Sequence, residues 1–230
     1  TVTITVNFTN EPPTVDVVTI TPDPAYTDTQ LKATPEGWAD ADDDPETYRW
    51  QWQKEEDGTW TDITDATSDT LSSDLFSKGE HLRVVCAPWD SFEEGEQVIA
   101  DITIANSPPT VPPEVRLSPD DPTDQDELQI HAGGSTDPDE ADSVTYEYEW
   151  YRDDALQDEL TDDTVPAART QGNQTWRCKV IATDGQAESD PASTQVVIIP
   201  TFSISGTVAD EQGDPLPDVT ISIGEQQVAT

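Results

Sequence analysis

The sequence predicts an all-β chain of antiparallel sandwiches in series. Short alternating runs, turn residues recurring every ~8–12 positions, and a set of landmarks that occurs twice all point to it. The linkers NEPPTV (10–15) and NSPPTV (106–111) open the two copies. Paired prolines lack N–H donors and favour an extended backbone, so they separate sheets. Strand-like runs follow, VDVVTITPDP and VPPEVRLSPDDP, and then a second run carries Leu31 and Ala33 or Leu128 and Ile130. An acidic turn leads into an aromatic strand in each copy, as WADADDDPETYRWQW and STDPDEADSVTYEYEW. Tyr48, Trp50 and Trp52 thus correspond to Tyr146, Tyr148 and Trp150. Late strands HLRVVCAPWD and TWRCKVIATD precede the closing strands QVIADITIAN and STQVVIIP. About seven short strands per copy are expected, with no helical period of useful length.

Period-two alternation places the three rings of each aromatic strand on one face, where they supply core area. A Trp on the third strand facing an apolar late strand fits an immunoglobulin-like core. An immunoglobulin disulfide would need a cysteine on the second strand, where this chain has Leu31, Ala33, Leu128 and Ile130. Cys86 and Cys178 share the inward parity of Val180 and Val84, so both are expected as free thiols buried in separate cores. A thiol nucleophile lacks a base, because His81 and His131 are the only histidines and neither has a triad-like context.

Composition narrows the function. Ten Lys and Arg stand against 49 Asp and Glu, a formal net charge of -39. That field repels nucleic acid and anionic lipid, which need basic contacts. The aromatic strands argue against disorder despite the charge. An acidic shell of this kind suits both a high-salt habitat and a calcium-loaded surface. No apolar run approaches the ~18 residues of a membrane span.

The run DPTDQDELQIHAGGSTDPDEADSVTYEYEWYRDD, with TVPAARTQGNQTWRCKVIATDG after it, resembles tandem Ig-like repeats, PKD- and cadherin-like, of giant prokaryotic surface proteins. The resemblance spans about residues 11–199, two copies, read as Ig-like domains at 11–107 and 108–200. Residues 1–10, with Val2, Ile4, Val6 and Phe8 on one face, look like the last strand of a preceding copy. Residues 201–230, through SGTVAD, GDPLPDV and TISI, are similar to the opening strands of a carboxypeptidase regulatory-like sandwich. About 30 residues cannot bury a core alone. The chain is therefore expected to be a piece of something longer; strand addition of residues 2–8 to a neighbouring subunit is the other reading.

Two acidic sets carry the chemistry. Asp40, Asp42, Asp44 and Asp90 form the first, and Asp137, Asp139, Asp142 and Asp184 the second. In this topology the loop before the aromatic strand and the loop after the Cys strand lie at the end reached by the Pro-Pro linker. Ca²⁺ takes six to eight oxygens, which carboxylates and turn carbonyls supply. The resemblance to cadherin-like repeats also implies calcium at the joint, although Gly is missing from the acidic turns and the linkers lack acid-rich sequence. The alternative is that Asp-Pro and Asp-Asp merely cap turns. A glycosidase pair has no other support, and a duplicated turn serves structure more often than catalysis.

The expected role is non-enzymatic: an extracellular, cell-surface structural segment that self-associates into fibres or joins other surface proteins. The alternative is an adhesin or carbohydrate-binding accessory module, with glycans stacking on Trp38, Trp60 or Trp89. Sequons at Asn7 and Asn173 permit glycosylation.

Overall fold

A computed structural model describes residues 9–203, 206–215, 220–223 and 226–229. The fold is all-β, two antiparallel immunoglobulin-like sandwiches. The first comprises β1 (Val17–Thr21), β2 (Leu31–Glu36), β3 (Tyr48–Glu56), β4 (Thr59–Asp62), β5 (Thr70–Leu71), β6 (His81–Pro88) and β7 (Val98–Thr103). The second comprises β8 (Glu114–Ser118), β9 (Leu128–Gly133), β10 (Thr145–Arg152), β11 (Ala155–Leu156), β12 (Thr164–Val165), β13 (Thr175–Thr183) and β14 (Ala192–Val197). A hairpin of β15 (Thr220–Ile223) and β16 (Gln226–Ala229) follows. The expected strand at residues 2–8 lies outside the described residues.

Each sandwich faces a three-stranded sheet, β1-β2-β5 or β8-β9-β12, with a four-stranded one, β4-β3-β6-β7 or β11-β10-β13-β14. The fourth strand thus hairpins onto the third instead of joining the sheet of the first, second and fifth, as it does in immunoglobulin constant domains. Turn chemistry dictates this. Asp57 and Gly58 carry φ of +51° and +77°, and Asp153 and Asp154 carry +49° and +65°. Two consecutive left-handed residues make the tight turn whose twist matches the flanking strands.

The aromatic strands behave as core with a gradient. Trp52 and Trp150 are wholly buried, and their indole N–H groups donate to the carbonyls of Ser68 and Asp162, each at 2.9 Å. Tyr48, Trp50, Tyr146 and Tyr148 are only half-buried and pack against the edge of the same cores. Tyr48 and Trp50 line an open groove beside Lys32–Pro35 of β2, where solvent reaches them. Trp176 adds a second wholly buried indole in the second core, edge-on to Trp150 at 6.4 Å.

Cys86 and Cys178 are free and buried, one in each core. Burial pushes their thiols up to about 11 and about 12, so both remain protonated and inert.

Replacing Trp150 tests this packing. Trp150→Ala should destabilise the second sandwich by about 3–5 kcal/mol. Trp150→Phe should cost less, about 1–3 kcal/mol, mainly through the stranded Asp162 carbonyl. Urea unfolding followed by circular dichroism should show the second transition moving while the first stays in place.

Candidate functional site

The acidic turns fold by the same local rule in both copies. Asp40 accepts the N–H of Asp42 at 2.9 Å and of Asp44 at 3.1 Å, and Asp43 between them takes φ +57°. Asp137 accepts the N–H of Asp139 at 2.8 Å. Short acidic side chains satisfy turn amides in this way and tolerate left-handed backbone. After the late strand, Asp90 accepts the N–H of Phe92 (2.7 Å) and Glu93 (2.6 Å). Asp184 does the same for Gln186 (2.6 Å) and Ala187 (2.7 Å).

These loops meet at the end where each linker enters. One carboxylate oxygen from each of Asp40, Asp44 and Asp90 lies within 4.8 Å of the others, as does one from each of Asp137, Asp142 and Asp184. Asp42 and Asp139 stand outside these trios. Their Oδ2 atoms instead accept linker amides, from Glu11 at 2.9 Å and Ser107 at 2.8 Å. The linker asparagines complete the arrangement: Asn10 Nδ2 donates to Asp90 at 2.8 Å and Asn106 Nδ2 to Asp184 at 2.7 Å. These asparagines lie outside the acidic sets expected from the sequence, although an Asn stands two residues before both Pro-Pro pairs.

The second trio sits at the joint between the sandwiches. Asp139 is buried there, and its other oxygen accepts from the hydroxyls of Ser107, at 3.2 Å, and Thr27. Lys78, from the loop before β6, donates to Asp142 and also to Asn106 Oδ1 at 2.9 Å. The bond to Asp142 holds the ammonium's pKa above its ordinary value.

On the carboxyl groups of the trios, burial and mutual repulsion act against hydrogen bonding. Burial raises the pKa of Asp44, and the charges of Asp40, Asp90 and Asp42 raise it further. Asp137 is raised by burial and by Asp139, Asp184 and Asp142, against the bond from the Asp139 amide. Burial pushes Asp90 and Asp184 up too, but their amide and asparagine bonds outweigh it and hold both below the usual carboxylate range. The Oδ2 atoms of Asp40 and Asp137, corresponding atoms in the two copies, are buried without a hydrogen-bond partner. A buried carboxylate oxygen left this way is costly unless a cation or water meets it.

The aromatics outside the cores are partly covered. The Arg49 guanidinium lies 3.6 Å over the Trp89 ring, and that of Arg83 lies 4.3 Å over Trp60. Trp38 packs edge-on to Tyr48 at 5.5 Å. His81 sits beside Trp60, with Nδ1 2.7 Å from Glu55 and Nε2 3.2 Å from Asp101.

No protein-family model and no curated protein matches this sequence. Among solved structures, a two-domain fibronectin type-III segment of chicken tenascin is 11% identical, with a TM-score of 0.42 over 80% of this chain and 98% of that one. The chicken interferon gamma receptor alpha chain is 8% identical, with a TM-score of 0.48 over 83% and 100%. The FN1–FN3 domains of chicken CNTN1 are 14% identical, with a TM-score of 0.33 over 82% and 66%. Superposition at such scores is poor, and the sandwich architecture stands on the strand pairing itself.

Two outcomes follow from this geometry. Asp139→Ala strands the buried Ser107 amide, a loss of about 1–3 kcal/mol at the joint. Cleavage of the linker by a broad-specificity protease should accelerate about tenfold or more, while each sandwich unfolds as before. Bonds to Glu55 and Asp101 raise the His81 pKa. Its stabilisation is therefore complete below about pH 6.5, the unfolded value, and is lost as pH rises through the higher folded value. The gap in unfolding midpoint between wild type and His81→Gln should shrink across that interval.

Proposed function

We propose that this chain is a non-enzymatic segment of a rod-like extracellular or cell-surface assembly, in which serial sandwiches transmit force through fixed joints. The observation that carries this reading is the repeated clamp of linker to acidic turn. Asn10 and the Glu11 amide hold Asp90 and Asp42 as Asn106 and the Ser107 amide hold Asp184 and Asp139. A clamp that recurs at each linker entry sets direction along a row of domains. It has no such purpose in an isolated binding module. The same reading takes the source as a giant prokaryotic surface protein, residues 201–230 as the start of a carboxypeptidase regulatory-like sandwich, and self-association as the route to fibres.

Calcium at the acidic ends belongs to this proposal. Three convergent carboxylates and an unpartnered buried oxygen at each end are oxygen-rich, hard-donor sets of the kind Ca²⁺ takes. Asp40, Asp44 and Asp90 would hold one ion and Asp137, Asp142 and Asp184 another, with Asp42 and Asp139 holding the linker amides. The adhesin or glycan-binding reading has less support, since arginine covers one face of both Trp60 and Trp89.

Thermal unfolding in EDTA and then in Ca²⁺ at fixed ionic strength is the test. The midpoint should rise, by the equivalent of about 2.7 kcal/mol at a hundredfold excess over Kd. Asp40→Asn combined with Asp137→Asn should abolish the rise. An unchanged wild-type midpoint removes calcium from the account. A saturable glycan affinity lost in Trp60→Ala or Trp89→Ala would favour the binding-module reading.

A further inference from the structure

Resting on the reading of the two acidic ends as cation sites, we infer that they are inequivalent, because Lys78 is a tethered cation already occupying the joint. Its Nζ bonds Asp142, one of the three convergent carboxylates, and the Asn106 amide oxygen at 2.9 Å. Asn106 in turn bonds Asp184, a second member of the trio. The ammonium and its stem are three-quarters buried, at 25% side-chain exposure, and Asp142 is more so at 14%. A divalent ion entering Asp137, Asp142 and Asp184 must displace that ammonium or share Asp142 with it.

The other trio meets no such group among the described residues. Asp40, Asp44 and Asp90 are within hydrogen-bonding reach only of amides and of Asn10. None of the ion pairs in the described residues involves them. Asp40 nevertheless keeps the same orphaned, buried Oδ2 as Asp137. Both ends thus ask for a cation, and only the joint brings its own.

Lys78 is peculiar to this joint rather than part of the repeat. Ser77 N–H bonds Glu80 and Gly79 N–H bonds the Ile104 carbonyl, as Gln171 N–H bonds Gln174 and Asn173 N–H bonds that of Ile198. Lys78 therefore corresponds to Gly172, where an added Cβ would come within 2.3 Å of Pro200. The second sandwich has no room for a lysine at that place. The same register matches Asn106 to Pro200, so both polar groups of the joint are absent from the far end of the second sandwich.

The consequence is an order of filling. The end formed by Asp40, Asp44 and Asp90 takes Ca²⁺ first, and the joint stays closed on Lys78 until the ion is plentiful. A charge-assisted, part-buried bond is worth about tenfold or more in apparent affinity. The joint is then held by an ammonium at low calcium and by the metal at high calcium.

Calcium titration calorimetry on the whole chain tests this with five proteins: wild type, Asp44→Asn, Lys78→Met, Lys78→Gln and Lys32→Met. The last removes a charge from an exposed position on β2, and so controls for net charge. Wild type should show two classes of site about tenfold or more apart, the tighter one lost in Asp44→Asn. Either Lys78 variant should bring the weaker class to within a few-fold of the tighter, and Lys32→Met should leave the ratio unchanged. Two equal sites in wild type, or a ratio indifferent to Lys78, overturn the inference while leaving the cation reading intact. Weaker binding in both Lys78 variants also overturns it. No binding at either end overturns both.

Discussion

Everything at the ends of these sandwiches depends on holding three carboxylates within 4.8 Å of one another. Like charges at that separation repel strongly wherever water is partly excluded. Two of the three in each trio, Asp40 with Asp90 and Asp137 with Asp184, are tied down by turn amides. Asn10 and Asn106 add side-chain donors from the linker. The linker is consequently part of the electrostatic solution, because its neutral amide donors stabilise the carboxylates along its path. That coupling turns an acidic surface feature into a directional joint.

The two linker entries share a framework and differ in what fills it. Asn, a following backbone amide and the paired prolines recur, so the linker enters both sandwiches along the same path. At the junction between the sandwiches, Thr27 and Lys78 add bonds from the upstream sandwich itself. The far end of the second sandwich is built otherwise: Asp124 accepts the amide and hydroxyl of Thr201, and Pro200 packs on Gly172. The acidic trios therefore lie where a linker arrives, and the exits are individual.

Much of the fold was legible because period-two alternation and duplication are strong signals. Seven strands per sandwich, the buried Trp52 and Trp150, and the free buried Cys86 and Cys178 could all be read from Tyr48–Trp52, Tyr146–Trp150 and the late strands. The half-burial of Tyr48 and Trp50 was not, since alternation marks a face without saying how far the opposite sheet extends. Trp176 was missed because its first-copy counterpart, Leu82, is an ordinary core residue. At the acidic ends the residue set was legible and its partition was not. Asp42 and Asp139 look like their neighbours in sequence, and only the fold shows them turned to the linker amides. Lys78 lies outside any repeated pattern, so duplication gave it no signal.

The proposed clamp fixes one sandwich relative to the next. Residual dipolar couplings, measured by NMR on backbone amides of both sandwiches in one aligned sample with Ca²⁺ present, address it most directly. A fixed joint gives a single alignment tensor, equal in magnitude and orientation for residues 14–104 and 114–199. Tensors of clearly different magnitude, the mark of sandwiches tumbling independently about a flexible linker, would contradict it.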